Sequence, residues 1–206
     1  MFAMARVRGH RIFAAMWDLA TRRENRRLVE CRRAAAAGLH GRVLEIGVGV
    51  GANWQYLPAG IEYVGIEPDA YMLERARRRA DTSGRAVDLH QAAAEDLPFE
   101  DATFDSVLVT LTLCSVDDPA RALAEIGRVL RPGGELRFWE HVRPSGRVAG
   151  VALDCLAPLW ARTLGGCHPN RRTAQSIDAS GLTRGEVRRV RMTGLPAILG
   201  TATKPR

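Results

Sequence analysis

The run RVLEIGVGVG at residues 42–51 constrains the fold more than any other feature. Valine, leucine and isoleucine give Arg42–Ile46 the character of a short buried β-strand, and Glu45 stands near its end. Gly47, Gly49 and Gly51 then alternate with Val48 and Val50. Glycine tolerates positive φ and carries no Cβ, so a ligand can lie directly against such a turn. A strand, a glycine turn and a helix in that order are how open α/β sheets hold a nucleotide-like cofactor. A second carboxylate, Glu67, follows the strand-like run Ile61–Ile66. It falls about 20 residues beyond the first strand, a spacing that suits an acceptor for ribose hydroxyls.

The turn by itself leaves more than one reading open. Gly47, Gly49 and Ala52 also satisfy the G-x-G-x-x-G/A pattern of dinucleotide enzymes. A tight turn with no ligand would show the same glycines. Glu45 argues against a dinucleotide, because a carboxylate beside the turn works against a pyrophosphate and suits a cationic amino group. A nicotinamide-dependent reductase would also be expected to show a Tyr-x-x-x-Lys pair, and Lys204 is the only lysine of the chain.

From Arg42 onward strand and helix alternate, which predicts a parallel sheet. Strands are expected at Arg42–Ile46, Ile61–Ile66, Ala86–Gln91, Phe104–Leu111 and Glu135–Val142. Helices are expected from Asn53, over Asp69–Ala80, and from Pro119 to Leu130 with Asp118 as its cap. Beyond these, Arg147–Leu164 reads as a helix interrupted by Pro158 and Arg171–Ser180 as another. Glu186–Met192 and Ala197–Thr203 read as a closing β-hairpin about the turn Thr193–Pro196. The expected fold is α/β: a seven-stranded, mostly parallel sheet, helices on both faces, and a C-terminal antiparallel hairpin. No repeat or low-complexity linker divides the chain. Residues 1–40 read as a basic helical segment covering the site and 41–206 as the cofactor-binding domain.

Charge is concentrated in that first segment. Nine of the 29 arginines fall in residues 1–40 against three acidic residues, a net +6 out of +7 for the whole chain. Ile12, Phe13, Met16, Leu19 and Ala20 fall at helical spacing, which predicts a helix packed on the domain with a solvated basic face. The alternative is a surface that touches anionic lipid or an acidic substrate. No aromatic-rich strand or RNA-recognition motif accompanies the charge, so a nucleic-acid partner is not expected. Cys31, Cys114, Cys155 and Cys167 are widely spaced and form no C-x-x-C pair, so no metal site is expected. Reduced cysteines and the lack of a secretory or membrane-spanning stretch point to the cytoplasm.

Four motifs then narrow the reading: EIGVGVG at 45–51, GIEPD at 65–69, AEDLPFEDATFD at 94–105 and LRPGGEL at 130–136. In this order they resemble the class I S-adenosylmethionine-dependent methyltransferases, whose fold is Rossmann-like. GVGVGANWQYLP (47–58), TLTLCSVDD (110–118), RPGGELRFWEHV (131–142) and GGCHPNRRT (165–173) further resemble the methyltransferase-like proteins that methylate alkyl thiols. Quinone-biosynthesis C-methyltransferases share two of these motifs and less of the tail.

The resemblance implies S-adenosylmethionine as cofactor. Its site would take in Glu45, Gly47, Val48, Gly49, Gly51, Asn53, Glu67, Pro68, Met72, Ala94, Glu95, Asp96, Thr110 and Leu111. In it Glu45 would hold the methionine amino group, directly or through water, and Glu67 the ribose hydroxyls. Glu95 and its neighbours would face the adenine, and Thr110 and Leu111 would flank the sulfonium. Val50 replaces a common threonine, and Ala93 stands where many relatives have aspartate. The acceptor is expected to be a small, fairly apolar molecule. An alkyl thiol comes first, a quinone or phospholipid headgroup second. His141 is the candidate catalytic residue; Trp17, Cys114, Trp160 and His168 are candidates for the acceptor pocket. The mammalian relatives carry an apolar N-terminal anchor, which the arginine-rich segment replaces, leaving weak membrane-surface contact. A basic membrane- or RNA-binding module is the reading from another class.

Overall fold

The computed structural model describes residues 9–84, 86–192 and 194–206. Arg6 and Arg8 of the basic segment and Thr193 of the expected turn lie outside them. Strands β1 (Arg42–Ile46), β2 (Glu62–Ile66), β3 (Asp88–His90), β4 (Phe104–Thr110) and β5 (Leu130–His141) pair in parallel. β6 (Thr183–Met192) and β7 (Leu195–Thr203) form an antiparallel hairpin, with β7 inserted beside β5. The order across the sheet is β3-β2-β1-β4-β5-β7-β6. The chain thus works outward from β1 to β3 and restarts at β4 on the other side. Ligands of open α/β sheets bind at the carboxyl edge beside such a reversal.

Alternation along each strand distributes the core to two faces. Val43, Tyr63, Leu108 and Trp139 pack with α2 (Arg26–Ala36) and α3 (Ala70–Ser83). Leu44, Ile46, Val107 and Phe138 pack on the opposite face with α4 (Pro119–Val129) and α6 (Thr173–Asp178). Helix starts are fixed by side chains as the sequence suggests. The Asp118 carboxylate accepts the Ala120 and Arg121 N–H groups, with Pro119 at the first helical position. Asp69 caps α3 in the same way through Tyr71 and Met72. Such caps each stabilise a helix by ~1 kcal/mol.

Several boundaries differ from expectation for identifiable reasons. The N-terminal helix is two helices, α1 (Arg11–Arg22) and α2, separated where Asn25 caps α2 through the Leu28 N–H. α1 buries Ala14, Asp18 and Thr21, while Ile12 and Leu19 are 78% and 65% exposed. Of the expected apolar face, Phe13 packs beside Ala14, Val50 and Met72 while Ile12 and Leu19 do not pack. Asp18 lies on the packed side, pairing with Arg75 of α3 at 3.0 Å. After the glycine turn only a 3-10 turn forms, Trp54–Tyr56, in place of the helix expected from Asn53. Trp54 Nε1 donates to the Tyr63 hydroxyl (2.8 Å), which ties this segment to the sheet, and Pro58 follows too closely for a helix to extend. α5 (Arg147–Thr163) runs through Pro158 without a break. β5 begins at Leu130, which pairs with Phe104 ahead of an irregularity. Among the described residues no helix is long and apolar enough to cross a membrane.

Candidate active site

The carboxyl edges of β1, β2, β4 and β5 open into a cleft of about 710 Å³. Its floor is the glycine turn. Gly47, Gly49 and Gly51 all have positive φ, at +73°, +57° and +76°, but they serve different ends. A Cβ at Gly47 would collide with Thr112, and one at Gly51 would strike the Trp54 ring. These two glycines let the chain pack against itself. Among the described residues a Cβ at Gly49 would meet nothing closer than Trp17 Nε1 at 3.7 Å, so this position faces open cleft.

Glu67 lines the cleft and is 7% exposed. Its two oxygens accept the Gly49 N–H (2.8 Å) and the Asp69 N–H (2.9 Å). Burial pushes its carboxyl up to about 7; those two bonds oppose the rise, and the charges of Asp69 and Glu45 add to it. Glu45 is fully buried and lies behind the cleft wall. It accepts Asn53 Nδ2 at 2.7 Å and the Tyr63 hydroxyl at 2.6 Å. Burial likewise pushes Glu45 up to about 7, against the bonds from Tyr63 and Asn53. Asn53 Nδ2 also donates to Thr110 Oγ1 (2.8 Å), and its Oδ1 accepts Arg32 Nη1 (2.8 Å). Arg32 in turn pairs with the Glu24 carboxylate at 2.7 Å. At the cleft surface the network ends in Arg32, Asn53 and Thr110, not in Glu45.

Val48, Pro68, Met72, Ala94, Glu95, Thr110 and Leu111 line the cleft as the motifs suggest. Leu111 sits at φ +58°, a conformation a branched residue adopts only under tertiary constraint. Glu95 accepts the Asp117 and Asp118 N–H groups. Asp96 is exposed and outside the lining, so Glu95 is the carboxylate on that side.

The far end of the cleft is made by His141 at the tip of β5, by Cys114 after β4, and by Cys167 after α5. Cys114 and Cys167 sulfurs are 3.5 Å apart, and His141 Nδ1 lies 3.9 Å and 3.6 Å from them. The Cys114 thiol, hydrogen-bonded to the Cys167 sulfur, is pushed up, while the same bond holds Cys167 low. His141 Nε2 is buried and has no partner among the described residues. Trp17, stacked on Phe13, and Trp160 supply aromatic walls. His168 lies outside the lining; its N–H donates to the Cys114 carbonyl (2.6 Å) and its ring Nδ1 meets the Gly166 carbonyl.

Two residues that sequence reasoning did not single out hold this end in place. Glu140 is fully buried, and its carboxylate accepts the N–H groups of Thr112 (2.7 Å), Leu113 (3.0 Å) and Cys114 (3.0 Å). Arg171 donates to the carbonyls of Leu113 and Val116. A charged residue inside the strand FWEHV is the one signal that could have found Glu140, since a buried carboxylate must be satisfied.

The family described as a methyltransferase domain matches residues 44–138. The thiol S-methyltransferase TMT1B of Homo sapiens is 32% identical over 179 residues, which take in 81% of this chain and 73% of the human protein. The chain belongs to the class I S-adenosylmethionine-dependent methyltransferases. TMT1B of Rattus norvegicus is 36% identical over 141 residues, 66% of this methyltransferase and 57% of the rat protein. The chain therefore spans little over half the length of that relative. The fold is also that of the YcgJ protein of Bacillus subtilis, with a TM-score of 0.70 at 20% identity over 86% of this chain and 97% of that one. The cofactor of the methyltransferase is S-adenosylmethionine, and the cleft suits it. Glu67, Asp69, Glu95 and Asp117 ring the side nearest β2 and β3, which favours a cationic ligand over a pyrophosphate. Gly49 leaves room where any side chain would intrude.

Proposed function

We propose that this methyltransferase methylates a small, fairly apolar thiol. The observation that carries the proposal is the Cys114–His141–Cys167 end of the cleft, walled by Trp17 and Trp160. The thiol S-methyltransferases of human and rat support the same acceptor class. In this reading the backbone of Gly47–Gly49 lies beneath the methionine and ribose. Glu67 takes the ribose hydroxyls, and Ala94 and Glu95 face the adenine. Asn53 meets the ammonium group, held in register by Glu45 behind it. The four free cysteines, two of them in contact and unbridged, support a cytoplasmic setting.

S-adenosylmethionine supplies an already activated methyl group, so the protein's task is geometry. Alignment of two reactants can supply ~7–11 kcal/mol of rate acceleration. A thiol with a pKa of about 8.5 needs only modest help to ionise. His141, buried and with no partner for Nε2 among the described residues, is placed to give it. His141→Ala should therefore slow thiol methylation by roughly 10²-fold. The dissociation constant of S-adenosylhomocysteine should stay within about twofold, well under the tenfold that 1.4 kcal/mol would bring. An unchanged rate would return the histidine to a packing role and remove the support it gives to a thiol acceptor.

Glu67→Ala should weaken S-adenosylhomocysteine binding by roughly 10- to 100-fold, because charge-assisted bonds of about 1.5–3 kcal/mol are only partly replaced by water. The pH dependence has a definite sign. The Glu67 carboxyl is raised from 4.5 to about 7 in the unliganded fold, so stability is lost as pH rises through that window and is level above it. Binding that uses the ionised carboxylate must expel the proton below about pH 7, so affinity should climb with pH up to that point. Calorimetry across this range checks both statements. A flat profile for the native protein, or an unchanged constant for Glu67→Ala, would take Glu67 out of the site.

A further inference from the structure

Cys114, His141 and Cys167 are separated by 27 and 26 residues in the chain, and no spacing rule for metal motifs joins them. In the fold their ligand atoms all lie within 4.8 Å of one another, and all three residues are buried. The distances have a specific meaning. Tetrahedral zinc, with Zn–S of about 2.3 Å and Zn–N of about 2.0–2.1 Å, sets S···S near 3.8 Å and S···N near 3.6 Å. The observed separations are 3.5 Å between the sulfurs, and 3.6 Å and 3.9 Å from His141 Nδ1 to Cys167 and Cys114. The three corners are tied to one another by backbone, through the neighbours of His141 and Cys167. The Cys114 N–H is bound by Glu140, and its carbonyl accepts the His168 N–H. Cys167 follows two glycines at positive φ and donates its N–H to Leu164. His141 ends β5 in register with Ala197 of β7.

We propose that Cys114, His141 and Cys167 form a binding site for zinc, with the fourth coordination position open to the acceptor end of the cleft. Two thiolates and one imidazole select a soft, tetrahedral divalent ion. Two thiolates also neutralise the ion, which lowers the cost of placing it in a buried corner. Three protein ligands with one open position is the arrangement of catalytic and not structural zinc. All three residues line the cleft, so the open position faces the cofactor side. The metal site stands on geometry alone; its use rests on the thiol reading above. An incoming thiol would lose its proton to solvent as its sulfur binds the metal, the S–H bond breaking and the metal–sulfur bond forming. His141 then serves as a ligand through Nδ1, and the metal takes over ionisation of the acceptor.

The test uses the full chain, stripped with a chelator under reducing, oxygen-free conditions and titrated with cobalt. One equivalent should bind, giving the thiolate-to-cobalt charge-transfer band and the strong visible bands of a tetrahedral site. Zinc should displace it. Cys167→Ser and Cys114→Ser should each weaken cobalt binding by at least ~100-fold, beyond the effect of losing an outer hydrogen bond to a ligand. Cys155→Ser, which changes an exposed thiol, should bind as the native chain does. Adding an alkyl thiol should shift the visible bands. A native protein with an unchanged melting temperature and no saturable cobalt band overturns the site, whatever the variants do. A band that survives in the Cys114→Ser/Cys167→Ser double variant overturns the ligand set, and bands indifferent to thiol overturn the open position. None of these readouts requires methyl transfer, so the metal site and the thiol reading can fail separately.

Discussion

Gly49→Val is expected to leave a folded protein that no longer binds S-adenosylhomocysteine. The glycine sits at φ +57°, where a β-branched residue is strained by about 1–3 kcal/mol. That is a tolerable loss for a chain of 206 residues, worth roughly 2–10 °C in melting temperature. The space around Gly49 makes the position informative. At Gly47 and Gly51 an added side chain would strike Thr112 and Trp54 and disrupt the turn itself. At Gly49 the new Cβ meets only Trp17 among the described residues, at 3.7 Å, so the variant can fold with its side chain in the cleft. The valine then occupies the volume the cofactor needs and lies beside Glu67, whose carboxylate accepts the residue's own N–H. Binding should fall by more than ~100-fold, a loss above about 2.7 kcal/mol. Calorimetry on a variant with a native circular-dichroism spectrum measures it. Affinity within tenfold of the native protein would show that the glycine turn is not the binding surface.

Glu140→Ala should have the largest effect on stability. The carboxylate is fully buried, and three backbone N–H groups of the loop after β4 end on it. Its removal leaves these donors without an acceptor, at about 1–3 kcal/mol each before relaxation. Partial rearrangement and entry of water should reduce the total to about 3–5 kcal/mol, comparable to breaking a buried ion pair. The melting temperature should fall by roughly 10 °C or more. Glu140→Gln keeps one acceptor oxygen and should fall between the two. Loss of the loop would also release Cys114, so methyl transfer should suffer even where the variant remains folded. A Glu140→Ala protein that melts within about 2 °C of the native one would show that water or a shifted loop meets these donors at no cost.

The sheet was legible because its signals are local. β1 declares itself by the run RVLEI ahead of three glycines, and α4 by Asp118 and Pro119 at its start. The inserted β7 was legible from two strand-like runs following a βα series. Part of the cleft lining was legible for the same reason, since Gly49, Glu67 and Glu95 come in the loops after β1, β2 and β3. What could not be read depends on partners distant in the chain. The helix expected at Asn53 gave way to a 3-10 turn because Trp54 is tied to Tyr63, and Tyr63 to Glu45. In α1, Asp18 meets Arg75, 57 residues away, while Ile12 and Leu19 stay exposed, a rotation that spacing along the helix does not reveal. The same holds at the acceptor end. Cys114 and Cys167 are 53 residues apart in sequence and in contact in space. Glu140 looked like one more charge in a strand until the three N–H groups it serves were in view.

The central claim, thiol methylation by this chain, is tested most directly by supplying labelled S-adenosylmethionine with a panel of small thiols, phenols and amines. The account predicts that label passes to apolar alkyl thiols and not to amines. It also predicts that the rate rises with pH as the bound thiol ionises, since the thiolate is the nucleophile. Transfer to amines or phenols with thiols left unlabelled would contradict the account of the Cys114–His141–Cys167 end of the cleft.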